Sequence, residues 1–567
     1  MFNLLKKHYL VIILAFVAGG LTCFPQIFAI KQVNNFQGVY RTVSNDEAYY
    51  LARAKDIIDG HTFLSNPYLY EYKNGYPTEV WLPEYILAKP LALLNIDLHK
   101  GYLFYDFLLP SILVILTYSI LYLLTGSVFS SFLGAAFLHL NLFLFQFNRN
   151  PSPQFNFIFW LLLYLIWLKF LKKPTLFYTI AMGAVFGLLF YIYTYYWTFY
   201  VVFFAIFLFL NFILKRPLPY KKYFLAFSIA FIISIPYFVF MIKDTGLPYY
   251  NETLARIGMI DTHFPSGRKI VMWGLVILLL LYASYKKRIL SIGLRPILLL
   301  SGVLASIIVV NQHVITGKNM FFASHYWMLS AFCFIFAFVY LLNLWLNKIK
   351  IRYIKIILLI LISCYIFYRP VINAIATVRE DTGYSQIEIG EQRYTPIFSW
   401  LNLNTQKDEV VFPDEELSSL IPVYTADNVF YNANAGLHFM SDEDLWRRFV
   451  LAHYWNKIDV KFAQDNIFYV RGYYYTALCD HNQSKNKIRK LFFLPPEACV
   501  KNSSGEIDKF LKLAQDVQSR DFYPQLKKYK VDYFIWDKKN DLNWPVNDLK
   551  FLEPVYEAND IAVYKVK

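Results

Sequence analysis

Eleven long apolar stretches occupy the first two thirds of the chain, at about 9–30, 107–125, 128–147, 155–171, 176–194, 196–214, 223–242, 270–285, 296–311, 326–346 and 354–375. Each approaches the ~20 apolar residues that carry an α-helix across a bilayer core. The pattern predicts a polytopic α-helical membrane protein with about 11 spans. Between 176–194 and 196–214, the run Tyr193-Thr194-Tyr195-Tyr196-Trp197 must supply a very tight turn at an interface. From about residue 377 the apolar positions come instead in short clusters. Residues 397–401 after Thr395-Pro396 and 417–420 read as helices, and 409–412, 428–431, 533–536 and 561–564 read as strands. The spacing predicts a small α/β sandwich of Rossmann-like topology. Two domains follow: 1–376, transmembrane and including a long first external segment at 31–106, and 377–567.

Charge orients this arrangement. With the amino terminus in the cytoplasm, 16 lysines and arginines fall at inner positions, including Lys6, Lys7, Lys172, Lys173 and the Lys286-Lys287-Arg288 run. The short outer gaps hold only Arg149, Lys243, Arg256, Arg268, Lys269 and Lys318. An excess of basic residues marks the cytoplasmic side, so the carboxy-terminal domain is expected outside. Lys6-Lys7 precede the first stretch without a polar leader or small-residue cleavage site, which predicts a retained start-transfer helix. Composition agrees, with 57% apolar and 17% charged residues. The net charge of +15 is largely membrane anchoring, and no basic-aromatic module points to nucleic acid. Of five cysteines, Cys23, Cys333 and Cys364 read as small apolar fillers. Cys479 and Cys499 both fall in the external domain, where a disulfide is permitted.

The first outer gap carries the leading acidic pair. Ser44 with Glu47 three positions on forms a capping box, and Asp46 sits in the first turn, where a carboxylate complements the helix dipole. Capping alone accounts for both carboxylates. Placed at the lipid–water boundary, however, Asp46 can also accept a proton from a hydroxyl attacking an anomeric carbon. A phosphate-linked lipid needs no strong acid to leave, so one base and a cationic phosphate site suffice, without the two carboxylates of ordinary glycosidases. Cations and imidazoles for such a site stand in the other outer gaps: Arg149, Arg256, His263, Lys318 and His325. A headgroup contact competes for Arg149, solvent exposure for Lys318 and interfacial hydrogen bonding for His325, while Arg256, in a moderately apolar amphipathic stretch, is less easily given such a role. Tyr49, Tyr50 and Glu84 are candidates for holding sugar or acceptor, and Glu71 and Glu79 add carboxylates without an assigned role. A short helix beginning after Pro83 carries Glu84 and is expected along the membrane surface. No H-E-x-x-H, paired-cysteine zinc site or calcium loop is present. The metal is thus unknown, and spacing leaves open whether Asp46 joins distant ligands around a divalent ion.

An inward-starting first helix, a long outer segment opening on Asp46-Glu47 followed by Tyr49-Tyr50, many later spans and an outer carboxy-terminal domain resemble the GT-C superfamily of membrane glycosyltransferases. Within it the likeness is to bacterial relatives of protein mannosyltransferases and aminoarabinose transferases. The resemblance implies a bacterial or archaeal cell-membrane enzyme taking its sugar from a polyprenyl-phosphate carrier. Its acceptor would be a glycan, lipid or protein, with Asp46 as catalytic or acceptor-positioning carboxylate and Glu47 in support. Oligosaccharyltransferases of this type often carry a further acidic motif in the second outer gap. Here residues 148–154 contain no carboxylate, which favours a monophosphate donor. A lipid-linked-sugar transporter or flippase, or a noncatalytic assembly protein, is the alternative.

Overall fold

The computed structural model describes residues 2–33, 35–40, 45–61, 64–75, 81–144, 149–349, 351, 353, 356–369, 372, 391–498, 504–542 and 544–567. Among the described residues, seven helices are long and apolar enough to cross a membrane: Lys7–Lys31, Leu98–Thr125, Gln154–Lys172, Thr194–Ile213, Tyr220–Thr245, Arg268–Lys286 and Phe321–Lys348. Four shorter apolar helices, Val128–Leu142, Leu176–Tyr191, Leu294–Val309 and Ile356–Arg369, fall where the remaining apolar stretches lie. The chain is therefore a multi-pass membrane protein. Helix contact in lipid depends on close packing rather than on water exclusion. Gly183 illustrates this: a Cβ there would come within 2.4 Å of the Ala226 carbonyl oxygen on the neighbouring helix. Around it, Trp160, Trp167, Phe199, Tyr200 and Phe203 are fully buried in an aromatic membrane core. The Trp167 indole nitrogen finds the Tyr223 hydroxyl at 2.9 Å, satisfying its one donor.

The carboxy-terminal part is built on a five-stranded mixed sheet. Its strands are Val410–Phe412 (β3), Asn428–Val429 (β4), Tyr533–Asp537 (β5), Leu552–Ala558 (β6) and Ile561–Val566 (β7), in the order β4-β3-β5-β7-β6. The first three are parallel, as the Rossmann-like expectation requires. The sheet departs from it at β7, which runs antiparallel to β5 and pairs with β6 in a hairpin. β6 escaped the sequence reading because Pro554 interrupts the run, a residue tolerated here at a sheet edge beside an irregularity in register. A separate two-stranded ribbon, Met259–Asp261 (β1) with Lys318–Met320 (β2), ties together two of the outer gaps.

The segment after the first span packs against the five-stranded sheet. Its helix Asn45–Ile58 and following loop bury Leu51, Ala52, Ala54, Ile57, Tyr68 and Leu69 in the same core as the sheet residues Val411, Phe412 and Phe534. Hydrogen bonds seal the contact. Gln392 receives the Gln37 amide at 2.8 Å and donates to the Val39 carbonyl at 2.7 Å. The Val429 amide donates to the Tyr68 carbonyl at 2.9 Å, extending the edge of β4. Lys73 reaches Asp56 and Asp408, both at 3.1 Å, with Asn428 at 2.6 Å. Burial pushes the Asp56 carboxyl up, although Lys73 and His61 oppose it. Cys479 is disulfide-bonded; Cys499 lies outside the described residues, as do Ser44 and Glu79.

Candidate functional site

Three segments that lie between apolar helices meet at Asp46. This residue lies in the first turn of the helix Asn45–Ile58, and Arg149 from the 149–153 loop pairs with it. The Asp46 side chain remains 59% exposed and the Arg149 side chain 25% exposed, so the pair is open to solvent. Both charges lie within electrostatic reach of His325, the last residue of the 3-10 turn Phe321–His325. The His325 Nδ1 is hydrogen-bonded to the Tyr193 hydroxyl, which comes from the turn between Leu176–Tyr191 and Thr194–Ile213. Aromatic rings fix the imidazole: Tyr193 stacks on it with centroids 5.9 Å apart, Tyr195 meets it edge-on at 5.6 Å, and Phe322 approaches at 5.5 Å.

A half-buried carboxylate supports the loop that holds Arg149. Asp106 accepts from Asn150 Nδ2 at 2.9 Å and from Gln154 Nε2 at 2.8 Å, while Asn150 also donates to the Tyr102 carbonyl at 3.1 Å. Glu47 lies within electrostatic reach of Asp106. Asp106 comes from the helix Leu98–Thr125, one residue before the apolar stretch read there.

Other predicted residues go elsewhere. Tyr49 and Glu84, read from sequence as sugar or acceptor contacts, are buried. Arg53 joins them, with Nε 2.8 Å from Glu84 and Nη1 donating to the Tyr49 hydroxyl at 3.0 Å. That side chain is 0% exposed and its partner Glu84 3%, so the trio acts as an internal strut between Asn45–Ile58 and Leu82–Leu93. His438 packs against Tyr49 with centroids 5.8 Å apart; burial drives its pKa well down, and Arg53 adds to the effect. Tyr50 packs edge-on to Tyr49 at 5.4 Å and lies within electrostatic reach of Tyr196.

Arg256 is also buried, and its donors are used within the protein. Nε donates to the Gly436 carbonyl at 3.0 Å, Nη2 to Met440 at 2.8 Å and His438 at 3.3 Å, and Nη1 to the Asp442 carboxylate. These bonds make Arg256 a clamp on the 436–442 loop. Its burial in an amphipathic stretch, taken from sequence as a sign of phosphate binding, has this structural cause. Lys318 pairs with Asp261 across the β1–β2 ribbon at 2.5 Å, both largely exposed. His263 is exposed and bonded through Nδ1 to the Val314 carbonyl at 3.0 Å, its ring lying against Gly317. Of the five proposed cationic positions, Arg149 and His325 are the two that the fold brings to Asp46.

A second polar crevice opens in the external unit, with a volume of about 290 Å³, where the chain leaves β3, β4 and β5. Asp414, Glu416, Tyr431, His453, Asn540 and Asp541 line it. Burial raises the Asp414 carboxyl to about 6 and the Asp541 carboxyl to about 8, the latter helped by Asp414 and Asp537. Among the described residues, no group of three or more His, Cys, Asp or Glu side chains is arranged to hold a metal ion.

The chain matches no protein-family model and no curated protein sequence. Fold and site together define a multi-pass α-helical membrane protein whose mixed-sheet unit shares a core with the segment that follows the first span.

Proposed function

We propose that this chain is a membrane glycosyltransferase of GT-C type, with about 11 spans, an inner amino terminus and an outer carboxy-terminal unit. It would move a sugar from a polyprenyl-phosphate donor to a hydroxyl on an extracytoplasmic glycan, lipid or protein. The observation that carries the reading is the Asp46–Arg149 pair beside His325, exposed and assembled from three separate gaps. In the reaction, an acceptor oxygen forms a bond to the anomeric carbon as the bond from that carbon to the phosphate oxygen breaks. Asp46 takes the hydroxyl proton, and the lipid phosphate departs with the electron pair. Arg149 neutralises the phosphate through a charge-assisted fork. Arg149 pairs with Asp46, and a shift of the guanidinium onto the donor phosphate would free the carboxylate for the acceptor. His325, oriented by Tyr193, supplies a further nitrogen at the phosphate.

The test uses the full chain in liposomes with labelled polyprenyl-phosphate sugars and a panel of acceptors. Release of free polyprenyl phosphate together with a new glycoside supports the reading. Donor binding or transport across the bilayer without cleavage of the sugar–phosphate bond removes it.

A further inference from the structure

The helix Tyr473–Leu491 ends in an apolar tip for which the external unit has no core position. Leu491 is 74% exposed, Phe492 66%, Phe493 98% and Leu494 51%. Phe493 has φ +55°, a left-handed conformation that a bulky side chain adopts at a cost of about 1 kcal/mol. The turn is nonetheless firmly held. Arg489 Nε donates to the Pro495 carbonyl at 2.7 Å, Asn486 exchanges bonds of 2.8 and 2.7 Å with the Glu497 backbone, and Glu497 pairs with Lys485 at 2.6 Å. The returning chain is thus pinned along the helix, and the phenylalanines project from its end.

The location of this helix identifies what the tip meets. At its start, Tyr473 packs on Phe321 and Phe322 at 5.3 and 5.1 Å, where the chain enters the Phe321–Lys348 span. Two turns later, His481 bonds Thr262 at 3.0 Å and packs edge-on to Phe264 at 5.8 Å, just before the Arg268–Lys286 span. A helix fastened at two points to the outer ends of two spans runs along the membrane face. Its remaining ten residues extend roughly 15 Å further at 1.5 Å per residue. The Arg268–Lys286 helix is itself peripheral, with Met272, Trp273, Leu275 and Leu279 more than half exposed. What lies beyond it is lipid.

We infer that the tip formed by Leu491, Phe492, Phe493 and Leu494 inserts into the outer leaflet of the membrane the chain crosses, with Lys487 and Lys490 on anionic headgroups. Both lysines are exposed beside the apolar residues, the arrangement by which interfacial segments combine apolar burial with phosphate contact. The tip is a lateral anchor that fixes the height of the external unit above the bilayer.

Site-directed spin labelling of the full chain tests this. On a Cys364→Ser background, a nitroxide at Phe493→Cys in vesicles of phosphatidylethanolamine and phosphatidylglycerol should collide more with oxygen than with a water-soluble nickel chelate. A label at Leu542→Cys, 77% exposed on the external unit, should show the opposite order. An aqueous reading at position 493 overturns the insertion and transfers the tip to a protein partner. Adding Lys487→Glu and Lys490→Glu should reduce the depth at 493 in these vesicles and leave it unchanged in pure phosphatidylcholine. Equal depth in both lipids overturns the headgroup contact.

Discussion

Arg149 reaches across 103 positions of sequence to pair with Asp46, and neither residue is buried by doing so. An exposed ion pair contributes little to stability, commonly under ~1 kcal/mol. Under the proposed function, its position beside His325 bears on the chemistry rather than on stability. Asp46→Asn should lower kcat by about 10²–10⁴-fold, the usual yield of a general base, while donor affinity holds or improves as Arg149 is released. Turnover and donor-binding measurements on one preparation check this, and near-normal turnover would remove Asp46 from the chemistry.

Arg149→Gln should act on the donor. Loss of a charge-assisted contact costs roughly 1.5–3 kcal/mol, or about 10–100-fold in donor KM. Thermal stability should stay within about 0.5 kcal/mol of the parent, as for other exposed substitutions. An unchanged KM would place the phosphate elsewhere.

Tyr193→Phe deletes only the hydroxyl that holds His325 Nδ1. A positioning role predicts about fivefold lower kcat from the loss of a hydrogen bond worth ~1 kcal/mol, with donor binding unaltered. A His325 ring signal that is unchanged by NMR would argue against it.

Glu84→Gln and Arg256→Ala should behave differently from these site variants. Each leaves a buried charge or carbonyl cluster without its partner, which costs about 3–5 kcal/mol. The expected outcome is reduced folded yield and faster proteolysis of the external unit, with kcat per folded molecule preserved. A normal yield combined with lost turnover would return Glu84 to the acceptor site.

The acidic crevice should make stability depend on pH. Asp541 titrates near 8 when folded against 3.8 in its reference state, and Asp414 near 6. The folded protein therefore holds extra protons, and their stabilisation, fully present below about pH 4, is lost as pH rises through 6 and 8. His453, held low by burial, opposes this only at the acidic end. Asp541→Asn should raise stability by about 1 kcal/mol at alkaline pH, after discounting for its partial exposure, and by nothing below about pH 4. Melting curves across that range are the measurement, and equal gains at both ends would contradict it.

Hydropathy located the apolar helices because crossing lipid imposes a length and a composition that no other element shares. The strands of the external sheet were visible at 410–412 and 533–537 because they are buried on both faces. The packing of the first external segment was not visible, since its partners lie more than 300 residues away; Val39 and Gln392 are 353 positions apart. Within the site, Asp46, Arg149 and His325 stood out by residue type and side of the membrane. Tyr193 read only as part of a turn, and Asp106 was hidden at the head of a span. Tyr49, Glu84 and Arg256 carried the same chemical signals, yet their groups are spent on internal bonds that only tertiary contact reveals.

The shared core also sets an order of events during synthesis. Residues 45–75 are made well before β5 and β7, which complete the sheet they pack into. The helix that carries Asp46 therefore waits on an unfinished scaffold until those strands have been translated. A chain stopped before them would hold its apolar helices but lack the sheet against which its first segment folds.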